Sequence, residues 1–218
     1  MTEAVYCIEK PKRLCAAELI AVSNLYRSSI PQSFLARLEP SFFSKLLSYG
    51  LTHSFCSILL LRNTLTNAIN GFIIFTNCRG WMKKTMYRHK ARFLLEGMKN
   101  IFNKPVCAYL VHGTYLRLFG KKQSGKTLSG PDAHRPRMEL FVIAVSEPLR
   151  GRGWGKKLIK AFEDELLSLG HSEYAVMTLD ANSASNSLYR GIGARLVATH
   201  ENPNGPVNEY VKTLDNNS

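Results

Sequence analysis

The residue types best suited to bind a charged ligand lie in one run rich in glycine and cations. The run follows an apolar segment, residues 140–145, and precedes an amphipathic segment, residues 156–169. Glycine lets backbone N–H groups turn toward a ligand with no Cβ in the way, and a helix N-terminus adds about half a positive charge there. The sequence therefore predicts a strand–loop–helix cradle for a pyrophosphate group. Its predicted members are Arg150, Gly151, Arg152, Gly153, Trp154, Gly155 and Lys156.

Two other phosphate-binding patterns fit less well. Lys156 stands where the dinucleotide fingerprint needs its last glycine. Residues 120–127 satisfy the G-x-x-x-x-G-K-[ST] spacing of a P-loop, which works only between a buried strand and a helix. Residues 128–136 contain glycine and two prolines and cannot form a helix of useful length. We therefore do not expect nucleotide hydrolysis at this motif.

The cradle sequence resembles the acetyl-CoA signature R/Q-x-x-G-x-G/A of the GNAT superfamily of N-acetyltransferases, here Arg-Gly-Arg-Gly-Trp-Gly over residues 150–155. Residues 182–194 are similar to a second family stretch, N-x-x-A-x-x-L-Y-x-x-x-G-F, with Ser185 in place of alanine and Ala194 in place of the aromatic residue. The matching positions are Asn182, Leu188, Tyr189 and Gly193. The resemblance implies acetyl-CoA as co-substrate, an acyltransferase activity and no metal.

The resemblance also implies roles for individual residues. Glu139, at the start of the strand that leads into the cradle, would be the base that takes a proton from the acceptor amine, directly or through a water. The alternative is a strand-end carboxylate paired with Arg135 or Arg137. Tyr189 would be the general acid, and its alternative is a packed aromatic side chain.

Further positions would contact the cofactor. Backbone N–H groups at Ile143, Ala144 and Val145 would hold the oxyanion and the pantetheine arm, and Asn182 would contact the cofactor. By the period of two, Glu139 and Phe141 are expected on one strand face with Ile143 and Val145.

The elements that must position these residues follow from the hydrophobic pattern. Short strands and helices alternate in the second half of the chain, after a helical region at 14–48 and a hairpin at 55–76. We expect a single GNAT-like α/β domain over residues 1–218, with a mixed, mostly antiparallel central sheet flanked by helices. The departure is residues 79–137, a basic helical insertion between the third and fourth strands, where the family has a tight turn.

Positive charge is concentrated in that insertion. The 218 residues carry a formal charge of +13, divided as +3 in residues 1–78, +12 in 79–137 and −2 in 138–218. Residues 81–104 interleave cations with apolar side chains, which is typical of an amphipathic helix or helix pair. This helix could lie on a membrane surface, bind a phosphate-bearing acceptor or a nucleic acid, or pack against a second subunit in a homodimer. The alternative to all of these is a solvated basic face.

The remaining composition restricts the function only broadly. Five cysteines without a C-x-x-C pair, and an N-terminus without a signal-peptide pattern, lead us to expect a cytoplasmic protein with reduced thiols. The six histidines are scattered, with His112 in the insertion as a reserve candidate. The leading hypothesis is acetylation of a small-molecule amine such as an amino sugar. The alternatives are acetylation of a protein N-terminus or lysine, and a non-catalytic CoA-binding module.

Overall fold

A computed structural model describes residues 6–31, 33–78, 80–99, 136–202 and 205–214. The P-loop-like run at 120–127 lies outside the described residues, as does His112. The described elements follow the predicted order.

The core of the protein is one seven-stranded sheet with the strand order β1-β2-β3-β4-β5-β7-β6. Neighbouring strands are antiparallel except for the parallel pair β4 and β5, which confirms the predicted mixed, mostly antiparallel sheet. The strands are β1 (Tyr6–Glu9), β2 (Ser57–Asn63), β3 (Ile69–Thr76), β4 (Met138–Val145), β5 (Glu173–Leu179), β6 (Arg195–His200) and β7 (Val207–Thr213).

Helices occupy the connections between strands. The helical region between β1 and β2 forms three helices, and the third begins at Pro40, whose fixed φ suits a first helical turn. The helices are α1 (Ala16–Ser29), α2 (Phe34–Arg37), α3 (Pro40–Thr52), α4 (Trp81–Arg88), α5 (Lys90–Lys99), α6 (Trp154–Ser168) and α7 (Ser183–Gly191). α4 and α5 form the beginning of the predicted insertion.

The two faces of the sheet bury different helices. Side chains of α1, α3 and α4 pack on one face, where Phe43 and Leu46 meet Leu60 and Ile74. α6 covers the opposite face, and Phe162 is buried there. Because β2 and β3 are covered on both sides, their sequences are continuous apolar runs rather than alternating ones.

An ion-paired arginine joins the first strand and the first helix to the sheet. Arg62 is 8% exposed. Its Nε donates to Glu9 Oε1 at 2.8 Å, its Nη2 to Glu18 Oε1 at 2.6 Å, and its Nη1 to the Asn67 carbonyl at 3.0 Å. A hydrogen bond from the Cys15 backbone N–H, assisted by Arg62, lowers the pKa of Glu18. The guanidinium thus holds β1 and α1 together at the edge of the sheet.

We expect Arg62→Met to lower the free energy of unfolding by about 2 kcal/mol, because two carboxylates would lose their shared cation in a largely buried site. The decrease in the free energy of unfolding should have its full size above the ordinary glutamate pKa. It should shrink as the pH falls through the lowered pKa of Glu18, because the carboxylates then become protonated. Urea unfolding of both proteins at pH 7 and at acidic pH measures it.

The control is Lys160→Met, which removes an ion pair with Asp164 that is about half exposed. This variant should change stability by less than about 0.5 kcal/mol. Equal losses in the two variants would contradict a structural role for the Arg62 cluster.

Candidate active site

β4 and β5 diverge after a short stretch of pairing. They pair over Met138–Leu140 and Tyr174–Val176. Beyond that point, Phe141–Val145 and Met177–Leu179 both line a cavity of about 1150 Å³. Each strand keeps its outer partner along the divergent part, β4 with β3 and β5 with β7. The gap therefore exposes the inner edge of β4 to a ligand.

A bulge in β4 changes which side chains share a face. The register with β3 passes from Leu140 to Val142 and skips Phe141. Phe141 packs on the α1–α4 face, with its ring edge-on to Trp81 at 5.4 Å. Ile143 and Val145 instead contact the apolar cluster around Leu149 and Leu158 on the α6 side. The predicted common face for Glu139, Phe141, Ile143 and Val145 is therefore wrong, because a strict period of two fails at a bulge.

The glycine-rich run forms the predicted loop between β4 and α6. Gly151 and Gly153 have φ angles of +72° and +81°, and a Cβ built on either would meet nothing within 4 Å. The glycines are thus required for their backbone conformation rather than for space. α6 begins directly after Gly153, so its N-terminal N–H groups are directed to the cavity end at which Gly151, Gly153, Gly155 and Lys156 lie.

Arg150 connects the loop to two other elements. Its Nε donates to the Val145 carbonyl at 3.0 Å and its Nη2 to Ser29 Oγ at 3.2 Å. The side chain also lines the cavity. Arg150 therefore ties the end of β4 to the end of α1 and places a cation beside the cradle.

Two predicted members of the cofactor set, Arg152 and Trp154, lie outside the cavity lining. The Trp154 ring meets the edge of Tyr6 at 5.1 Å, and the Lys157 ammonium lies 4.1 Å from the Trp154 ring centroid. This geometry gives Trp154 a packing contact with β1.

The second motif forms the start of α7 on the other side of the gap. Asn182 caps this helix, since its Oδ1 accepts a hydrogen bond from Ser185 N at 3.1 Å, and both residues line the cavity. Asn186 donates to three backbone carbonyls and accepts from Asn208 and Tyr210. This buried network holds the start of α7 against β5 and β7.

The structure separates the two predicted catalytic residues. Tyr189 is 4% exposed and lines the cavity, and burial raises the pKa of its phenol above the ordinary value. The phenol is therefore protonated at neutral pH. Glu139 is half-buried, lies in register with Thr76 and Ala175, and is not part of the cavity lining.

The rest of the cavity is an apolar chamber that no sequence motif marked. We define it by Ile30, Leu35, Phe42, Leu46, Met82, Met86, Phe141 and Val142. The helical residues of this set have the spacing of ordinary core residues. Only the gap between β4 and β5 shows that they line a cavity.

α4, from the predicted insertion, forms one wall of the chamber through Met82, Lys83 and Met86. The helix is anchored by Trp81, which is 2% exposed and packs on α3. A Cβ at Gly50 would lie 2.6 Å from the Trp81 ring, so this close approach requires glycine. The predicted insertion therefore begins with a helix that packs on α3 and lines the cavity.

Within the ranges that the structure describes, no group of three or more His, Cys, Asp or Glu side chains is placed to hold a metal ion. No helix in the same ranges has the length and apolar character to cross a bilayer.

One protein family has a model that matches part of the chain. The model of the Acetyltransferase (GNAT) family matches residues 106–194. No curated protein matches the chain in sequence.

Solved structures share the fold at low identity. A protein of the GNAT family from Desulfovibrio desulfuricans is 10% identical with a TM-score of 0.60, and the match covers 97% of this chain and 100% of that one. The ribosomal-protein-S18-alanine N-acetyltransferase from Escherichia coli is 12% identical with a TM-score of 0.55, covering 98% and 99%. A Salmonella typhimurium protein solved with its cofactor acetyl-CoA is also 12% identical, with a TM-score of 0.55, covering 98% and 96%.

The family match includes both the glycine-rich loop and the Asn182–Tyr189 stretch, and the fold places the two on either side of the gap between β4 and β5. Residues 106–194 thus match the model of the Acetyltransferase (GNAT) family, and the described part of the chain shares the fold of solved GNAT proteins.

Proposed function

We propose that this protein transfers an acetyl group from acetyl-CoA to a primary amine of a small molecule, by direct attack within a ternary complex. The observation that carries the proposal is one continuous cavity that joins the glycine-rich cradle to Tyr189 through the gap between β4 and β5. A cradle alone would fit many phosphate ligands. A cradle continuous with an exposed strand edge fits a phosphate group that bears a long amide-containing arm.

The residues at the cradle suit the pyrophosphate of CoA. Gly151 and Gly153 allow the loop N–H groups to face a ligand, and the N-terminus of α6 supplies positive potential. Arg150 and Lys156 add full charges at the same end of the cavity. A structure of this fold solved with acetyl-CoA supports the assignment.

The edge of β4 suits the pantetheine arm. Ile143, Ala144 and Val145 line the gap where β5 no longer pairs with β4. An extended amide chain can pair with such an edge as an added strand. A backbone N–H from this stretch would also stabilise the oxyanion during acetyl transfer. Asn182 lines the same passage and would contact the cofactor.

In the reaction, the neutral amine attacks the thioester carbonyl, a C–N bond forms and the C–S bond breaks. The amine loses one proton and the CoA sulfur gains one, so the products are an N-acetyl amide and free CoA. Tyr189, protonated and facing the cavity, would donate the proton to sulfur. Glu139 lies outside the lining, so it would accept the amine proton through a water.

The cradle can be tested by a matched pair of glycine substitutions at the two ends of α6. Gly153→Ala should weaken acetyl-CoA binding at least tenfold, because φ of +81° strains alanine and the loop would turn its N–H groups away. Gly170→Ala carries similar strain, at φ +78° and also in open space, beyond the other end of the helix. Calorimetric titration of acetyl-CoA should show weakened binding in the first variant only.

Tyr189→Phe should lower kcat about tenfold and leave the acetyl-CoA Kd unchanged. The effect is modest because a thiol with a pKa near ~8.5 needs little help as a leaving group. Since burial raises the pKa of Tyr189, its proton is held through the alkaline range, and kcat should show no falling limb below about pH 10. A falling limb near pH 9 would contradict the raised pKa, and an unchanged kcat in Tyr189→Phe would contradict the role as general acid.

Glu139→Gln should lower kcat/KM most at low pH, where the amine is most protonated and a base matters most. The acetyl-CoA Kd should not change. Rates that equal those of the unmodified protein from pH 6 to 9 would show that another group or bulk water takes the proton.

α4 and α5 carry exposed apolar side chains beside their cations. Tyr87 and Leu95 are exposed among cations on α4 and α5. Their contact with a membrane surface, a nucleic acid or a second subunit stays a prediction from the sequence, as does the cytoplasmic location.

A further inference from the structure

The cavity has two chemically different halves on opposite faces of the sheet. The cradle lies at the N-terminus of α6, on the face that α6 covers, whereas the apolar chamber lies under α2, α3 and α4. The gap between β4 and β5 connects the halves. A co-substrate anchored in the cradle therefore presents its thioester at the gap, and the chamber receives the molecule that meets it there.

The size of the transferred group decides which substrate occupies the chamber. An acetyl group adds only a methyl beyond the carbonyl carbon, and the walls of the chamber come from four elements, α2, α3, α4 and β4, together with the loop after α1. Most of this space is therefore left to the acceptor.

The charge of the lining restricts the acceptor further. Among the lining residues that the structure describes, none is acidic, and the cations are Lys83, Arg150 and Lys156. A second ammonium on the acceptor would face Lys83 without a counter-charge. The hydroxyls of Tyr26 and Ser33 also line the cavity, but they hydrogen-bond each other at 2.6 Å, so most hydroxyl groups of an acceptor would lose their hydrogen bonds to water at apolar walls. Both effects disfavour polyamines and amino sugars.

The same surroundings favour the reactive form of a single amine. Low polarity and the nearby Lys83 ammonium both lower the pKa of a bound amine, because each destabilises a second positive charge. The neutral amine is the nucleophile, so a chamber of this kind assists attack as well as binding.

We propose that the acceptor is a small primary amine borne on an aliphatic or aromatic group, with that group in the apolar chamber and the nitrogen at the gap between β4 and β5. This inference rests on the proposed acetyltransferase function and replaces the amino sugar that the sequence suggested.

The test compares kcat/KM for 2-phenylethylamine, ethanolamine, glucosamine and putrescine with acetyl-CoA at one pH. The kcat/KM for 2-phenylethylamine should exceed that for each other amine at least tenfold. The reason is that one methylene buried in a hydrophobic pocket already gives about 10- to 200-fold discrimination. Equal or better use of any polar amine, or turnover of none of the four, would overturn the inference.

Two glutamate substitutions on α4 locate the binding site. Met86→Glu places a carboxylate in the chamber and should lower kcat/KM for 2-phenylethylamine at least tenfold while raising that for putrescine. Tyr87→Glu adds the same charge at a side chain that is 81% exposed, and it should leave both values unchanged. If thermal unfolding shows that Met86→Glu does not fold, Met86→Gln gives the same polar test without charge. The same change in both Met86 and Tyr87 variants would overturn the chamber assignment.

A binding titration and two comparisons of transfer rates separate failure of the proposed function from failure of the inference. Acetyl-CoA titration tests the proposed function alone, and absence of saturable binding would overturn that function together with the inference. Binding of acetyl-CoA with preference for a polar amine would overturn only the acceptor class. Faster transfer from hexanoyl-CoA than from acetyl-CoA to the same amine would show that the chamber holds the acyl chain, and would overturn the inference as well.

Discussion

The early end of pairing between β4 and β5 is the constraint on which the site depends. The sheet consists of two parts, β1–β4 and β5–β7, joined by three residue pairs. Each inner strand stays paired with its outer neighbour through the divergence, β4 over Glu139–Val145 and β5 over Glu173–Leu179. The bulge at Phe141 adds local twist to β4 where the separation begins. A protein with a fully paired sheet here would have no passage between its two faces.

That passage explains why the glycine-rich cradle and the apolar chamber can have opposite character. Backbone N–H groups and cations meet at the N-terminus of α6, where burial of apolar surface would bring no advantage. On the other face, the same helices that form the core around Phe43 and Leu46 also form the walls of the chamber. The chamber is thus an extension of the hydrophobic core that is left open at the gap, and packing of α1 and α3 stabilises both.

The insertion contributes to this arrangement through its first helix. Trp81 fits against Gly50 and meets the edge of Phe141, so α4 is fixed to both α3 and β4. Met82 and Met86 then line the cavity with flexible, unbranched side chains. Part of the span predicted as a basic insertion therefore lines the cavity.

Much of the fold and of the cradle could be predicted from the sequence, because both depend on local patterns. Gly151, Gly153 and the helix that follows them specify a turn and a helix start within a few residues, and the apolar periodicity of β2, β3 and α6 specifies their burial. The face of Ile143 was predicted wrongly, since a bulge depends on how β3 aligns with β4 and leaves no mark in the β4 sequence. Trp154 belongs to the same motif as Gly153, but the direction of its side chain depends on contacts with Tyr6 of β1 and Lys157 of α6.

The sequence by itself determined the element order, the glycine-rich loop and the family resemblance, because each rests on residues close together in the chain. Only the tertiary structure decided that Tyr189 lines the cavity, that Glu139 lies outside its lining, and that α2, α3 and α4 enclose an apolar chamber. Leu46 and Met86 have the spacing of core residues in either case. Whether such a residue is enclosed or faces a cavity depends on the distance between two strands far apart in the sequence, and no local pattern encodes that distance.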